Sequence, residues 1–177
     1  ATPVSGAGTR LMWVPEKGSF RAGAVTGDQW DEANIGDYSA AFGYNNEGAG
    51  ESSFIGGGEY NFVSGFYSSI IGGRFNTTTN FSAAIIGSTG SENNGNFSFI
   101  GGGTGNIIED DYSVVIGGNN NIINNSGFGH SAIIAGQDNV VNDGYTVILG
   151  GVQNTSTGWN SVITGGTRNE ISGTYSV

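Results

Sequence analysis

Cysteine is absent, proline occurs twice, histidine once, and only five of 177 residues are basic. The missing cysteine suits a bacterial or phage surface protein and many cytosolic ones alike, so it decides little. With two prolines and no Gly-X-Y period, collagen is excluded. The basic residues are Arg10, Lys17, Arg21, Arg74 and Arg168, and the formal net charge is −10. Such a surface repels nucleic acid, and no basic stripe offsets it. Charged residues of either sign make up only 11% of the chain. A disordered chain of this polarity carries more charge and fewer aromatics, so this one reads as folded. No apolar run approaches the ~20 residues of a membrane span, and no stretch has helical periodicity. No signal peptide is visible, so an export signal would lie outside this sequence.

What abounds is glycine, at 34 residues, far above the usual share of roughly 7%. It recurs with a period. Ser39, Ser53, Ser68, Ala83, Ser98, Ser113, Ser131, Thr146, Ser161 and Ser176 each precede a short β-type run, and subtracting neighbours gives 14, 15, 15, 15, 15, 15, 18, 15 and 15. Such a period marks a solenoid. Two residues after the anchor sit Ile55, Ile70, Ile85, Ile100, Val115, Ile133, Ile148 and Ile163, which we take as the coil core. Gly pairs follow, as in Gly57-Gly58 and Gly117-Gly118, where a turn needs positive φ. Next comes a repeated Asn, from Asn61 to Asn169, suited either to a left-handed turn position or to a side-chain ladder between coils. A second short strand ends the repeat. There Val63, Ile108, Ile123, Val141 and Ile171 read as interior, and Glu92, Ile107, Val140 and Glu170 as exterior. The expected fold is all-β, a parallel β-solenoid of about fifteen residues per coil over 37–177. Nine coils at about 4.8 Å make a column roughly 43 Å long. The three extra residues of the long coil fall near Asn124–Gly129.

Side chains alternate between the faces of a strand. The first strand of each coil nevertheless has little polar surface on either face, as in Val114-Val115-Ile116 and Val147-Ile148-Leu149. Both faces therefore read as buried, and one small coil has only one interior. The simplest cover for the second face is the same strand of other chains, with Phe54, Ile71, Ile86, Phe99, Ile116, Ile134 and Leu149 as interface residues of a homotrimer. Where the second outward site is Gly56 or Gly101, the first is Phe54 or Phe99. We read this exchange of volume as packing inside that contact.

The repeat resembles the head of the trimeric autotransporter adhesins, the YadA-like head, whose motif runs close to Asn-Ser-Val-Ala-Ile-Gly. Asn160-Ser161-Val162-Ile163-Thr164-Gly165 and Tyr38-Ser39-Ala40-Ala41-Phe42-Gly43 follow it, over roughly residues 34–177. Phage and phage-like fibres carry similar repeats. The resemblance implies a left-handed β-roll, three chains side by side, and a place on the bacterial cell surface or on a phage-like fibre. This chain departs from the pattern in its fifteen-residue period, its paired Gly and the Asn that follows. It stops at Tyr175-Ser176-Val177, the opening of a new repeat, and so reads as a fragment of a longer fibre.

Residues 1–36 lack the repeat. Arg10–Val14 and Ser19–Ala24 read as two strands around a Pro15–Gly18 turn, a hairpin that caps the solenoid or forms a binding tip. Candidate ligand contacts are Trp13 and Trp30 there, and Asn124, Asn125, Phe128 and His130 at the long coil. We find no Ser-His-Asp spacing, P-loop or H-E-x-x-H motif. Glu109-Asp110-Asp111 reads as a solvated acidic turn rather than a Ca²⁺ loop. We expect no cofactor, metal or enzymatic activity, and no membrane insertion. The expected function is a trimeric adhesin head whose partner is a cell-surface glycan or protein receptor. The alternatives are a tailspike-like segment that binds or processes polysaccharide, and an ice-binding solenoid, for which the Thr ladder is missing.

Overall fold

The computed structural model describes residues 4–124, 127 and 129–177. It is a parallel β-solenoid of about nine turns, built from a 12-stranded and a 9-stranded sheet. Each coil contributes one short strand to each sheet, so neighbouring strands are one repeat apart. Phe99 pairs with Val114 in the larger sheet, and Ile107 with Ile122 in the smaller. Ile55, Ile70, Ile85, Ile100, Val115, Ile133 and Ile148 are fully buried, as are Val63, Ile108, Ile123 and Val141, and the two sets form one continuous core.

The larger sheet begins with a hairpin. Strand β1 (Gly8–Val14) runs antiparallel to β2 (Ser19–Val25), with a 3-10 turn at Pro15–Lys17 between them. Strand β2 then pairs in parallel with β3 (Ala40–Tyr44) in the first coil. Met12, Val14, Val25, Trp30 and Ile35 make a second small core over the coil end. Arg21 lies where the two cores meet, fully buried and opposite Ala41. Its guanidinium donates to the carbonyls of Phe20, Ser39 and Gly48 and to Ser39 Oγ. Burial lowers its pKa to about 10. The small Ala41 and Gly48, in columns elsewhere filled mostly by Ile or Val, leave the room that this side chain takes.

The repeated Asn is a ladder. Asn61, Asn76, Asn106, Asn121, Asn139 and Asn154 are all buried. Asn154 shows the pattern. Its Nδ2 donates to Gly150 O (3.1 Å) in its own turn and to Gly166 O (3.1 Å) in the next, and its Oδ1 accepts from Asn169 N (3.0 Å). The same bonds join Asn121 to Asn139 across the long coil, so the insertion is absorbed at the opposite turn. The Gly pair makes room for the amide. A Cβ at Gly151 would meet Asn154 Nδ2 at 2.5 Å and Gly166 O at 2.2 Å. In one coil Ser91 replaces the Asn. There the strand continues over Ala84–Thr89, and Ser88 takes the Gly place with its Oγ 2.6 Å from Ser91 Oγ.

The left-handed turn position is one residue earlier than the Asn. Tyr60, Phe75, Asn120, Asp138, Gln153 and Arg168 there have φ between 53° and 57°. A second left-handed site precedes the anchor, at Tyr67, Phe97, Tyr112, His130, Tyr145 and Asn160. Such residues cost of order 1–3 kcal/mol each unless the surroundings hold them. Here the coil below does so. Phe75 N donates to Glu59 O, Tyr112 N to Asn96 O and His130 N to Asp111 O.

Candidate binding surfaces

Three surfaces stand out. The first is the outer face of the larger sheet. The two positions flanking each core residue read Leu11/Trp13, Phe20/Ala22, Ala40/Phe42, Phe54/Gly56, Ser69/Ile71, Ala84/Ile86, Phe99/Gly101, Val114/Ile116, Ala132/Ile134, Val147/Leu149 and Val162/Thr164. Only Ser69 and Thr164 carry a polar side chain. Ile71 is 48% exposed and Leu149 47%; Phe54, Ile86, Ile116 and Ile134 are also exposed, and Phe99 is half-buried. Among the described residues of one chain nothing covers this face.

The exchange of Phe and Gly on this face has a local cause. A Cβ at Gly56 would lie 3.1 Å from Phe54 Cε1, and one at Gly101 3.2 Å from Phe99 Cε1. Each ring lies over the glycine of its own strand. The swap is thus satisfied inside one strand and does not by itself call for a second chain, as we had read it to do.

The second surface is a ladder of rings along the turn before the anchor. It runs Tyr67, Phe81, Phe97, Tyr112, His130, Tyr145, Trp159, with centroids 5.0–5.5 Å apart. From Phe97 to Tyr145 the rings are nearly parallel, at 9°, 15° and 2°. Their faces cover one another, and what they present outward is ring edges and tyrosine hydroxyls. The sequence shows the Tyr67, Tyr112, Tyr145 column with His130 in it. Phe81 and Trp159 escape notice because they reach the ladder from the neighbouring position.

The third is a cavity of about 580 Å³ beside this ladder, lined among others by Asn94, Asn96, Glu109, Asp111, Tyr112 and His130. Asp110, buried in the same turn, accepts from Gly129 N at 3.1 Å and so ties down the end of the long coil. Asp111 Oδ1 accepts from Asn96 N (2.8 Å) and Nδ2 (2.9 Å). Among the described residues, no group of three or more His, Cys, Asp or Glu is arranged to hold a metal ion.

The candidate ligand residues are scattered over these surfaces. Trp13 is 53% exposed and belongs to the apolar face, opposite Phe20. Trp30 corrects our expectation. It is 0% exposed and donates from Nε1 to Asn46 O at 3.0 Å, so it packs the coil end and has no free face for a ligand. Asn124 is half-buried, with its Nδ2 donating to Asn142 Oδ1 at 2.5 Å, a coil-to-coil bond. Asn125 and Phe128 lie outside the described residues. On the smaller sheet, burial first and Asp28 second raise the carboxyl of Glu47 above the usual carboxylate range. No family model matches the sequence, and no curated protein matches it.

Proposed function

We propose that the chain is a non-enzymatic segment of a trimeric surface fibre, an adhesin-like head in which three larger sheets face one another. The left-handed winding and the extracellular setting that the resemblance to the adhesin head implies belong to the same proposal. The observation that carries it is the apolar outer face that runs from Leu11 to Leu149. A soluble single chain rarely leaves so long an apolar surface open. Fully covering an Ile or Leu side chain is worth about 1.5–3 kcal/mol, so covering the exposed half adds roughly 1 kcal/mol per coil and chain. Affinity then grows with the number of coils. The turns, which point away from such an axis, remain free to bind a cell surface or matrix through many weak contacts repeated three times.

Light scattering on the purified chain tests this. We expect a mass near three times 18.1 kDa. A monodisperse monomer at micromolar concentration would overturn it.

A further inference from the structure

We infer that the cavity beside the aromatic ladder is a pocket for an uncharged saccharide. This rests on the adhesive reading above and names the ligand class of one of its outward surfaces. The cavity, at about 580 Å³, falls in the usual range of small-ligand sites, about 300–1,000 Å³.

Its chemistry selects the ligand. Asn94 Oδ1 accepts from Thr79 Oγ1 (2.7 Å), and among the described residues its Nδ2 has no protein acceptor. Asp111 uses Oδ1 on Asn96, which leaves Oδ2 as an acceptor. The carboxylate of Glu109 and the hydroxyl of Tyr112, both on exposed residues, add an acceptor and a group that both donates and accepts. Amide, carboxylate and hydroxyl together suit a ligand carrying several hydroxyls, each of which donates and accepts. Three carboxylates and, among the described residues, no Lys or Arg in the lining disfavour sialic, uronic, sulfated or phosphorylated ligands. Phe97 and His130 occupy both faces of Tyr112. Sugar is therefore held by hydrogen bonds rather than by stacking on that ring. The pocket is also rigid where it matters, since Asn96 and Asp111 fix each other and Asp110 anchors Gly129.

The test is an array of neutral hexose and N-acetylhexosamine oligosaccharides, with sialylated and sulfated ones alongside, followed by calorimetry on the best binder. Tyr112→Phe keeps the ring stack and removes only the hydroxyl. It should weaken binding roughly two- to tenfold, the ratio for one net hydrogen bond, and leave the melting temperature unchanged. Asn94→Ala should weaken it similarly. Retention of neutral sugars with these losses supports the pocket. Three results overturn it: no neutral glycan retained, acidic glycans preferred, or affinity unmoved in both variants. A trimer that binds no neutral sugar sinks the pocket and spares the fibre. A monomer that binds with the same sensitivity to Tyr112→Phe does the reverse.

Discussion

On the larger sheet the outward positions are apolar strand after strand. On the smaller sheet the outward column reads Glu47, Phe62, Thr77, Glu92, Ile107, Ile122, Val140, Thr155 and Glu170. Both sheets cover the same interior, so the interior cannot be the cause of this difference. The proposed trimer supplies a cause that lies beyond each face. A face that meets water tolerates charge every few coils, and a face that meets protein does not. The outer column of a thin solenoid therefore reports its surroundings more plainly than its core does.

The sharpest way to break that contrast is to place charge on each face in turn. Ile86→Glu with Ile116→Glu should reduce the scattering mass to that of one chain, because six carboxylates would be forced into one contact. Ile107→Glu with Ile122→Glu should leave the mass unchanged, since Glu92 already sits in that column. If both pairs behave alike, the two faces are equivalent and the trimer reading fails.

A substitution at the turn that joins the faces comes next in size. Asn121 donates from Nδ2 to Gly117 O and Gly136 O, and its Oδ1 accepts from Asn139 N and Nδ2. Asn121→Ala leaves these buried groups without a partner, at about 1–3 kcal/mol for each that water cannot reach. Chemical denaturation should show a loss of about 3 kcal/mol or more, with both sheets unfolding together. A loss well below 1 kcal/mol would mean that the ladder is incidental to the stacking.

How far the sequence reveals this molecule follows from the same physics. The period and the core column of the larger sheet are legible because that column is Ile or Val in every coil from Ile55 to Ile163, whereas the interior of the smaller sheet also takes Thr78, Asn93 and Ser156. The left-handed positions are not legible. Tyr60, Phe75, Asp138, Gln153 and Arg168 share a backbone angle and no chemistry, because the hydrogen bond from the coil below holds the angle whatever the side chain. The Asn drew attention instead, since its side chain makes the bonds. Trp30 looked like a binding residue because aromatic residues at a solenoid end serve either role, and only packing shows which. The Phe and Gly exchange was visible, but its cause was a contact within one strand.

That contact can be tested against the trimer. Gly56→Ile alone would drive a side chain into the Phe54 ring and cost about 1–3 kcal/mol. Phe54→Ala alone opens a gap. The double variant restores the Ala-and-Ile pairing that Ala84 and Ile86 already have, and should recover most of the loss. The coupling energy of the cycle, 0.5–3 kcal/mol for residues in contact, should be the same at protein concentrations above and below the point of assembly. A coupling that disappears on dilution would return the exchange to the interface between chains.

The smallest effect sits on the other face. Glu47 has its carboxyl pKa raised above the usual value of 4.5 by burial and by Asp28. A raised carboxyl contributes stability below its unfolded value and loses it as pH rises through the folded one. At neutral pH the folded chain therefore carries a carboxylate in a place that favours the neutral acid. Glu47→Gln should make the protein slightly more stable at pH 7, and the gain should shrink on acidification and vanish below about pH 4. If the gain instead persists at low pH, the benefit comes from packing or from a new hydrogen bond, and charge on this face is as free of cost as its open column suggests.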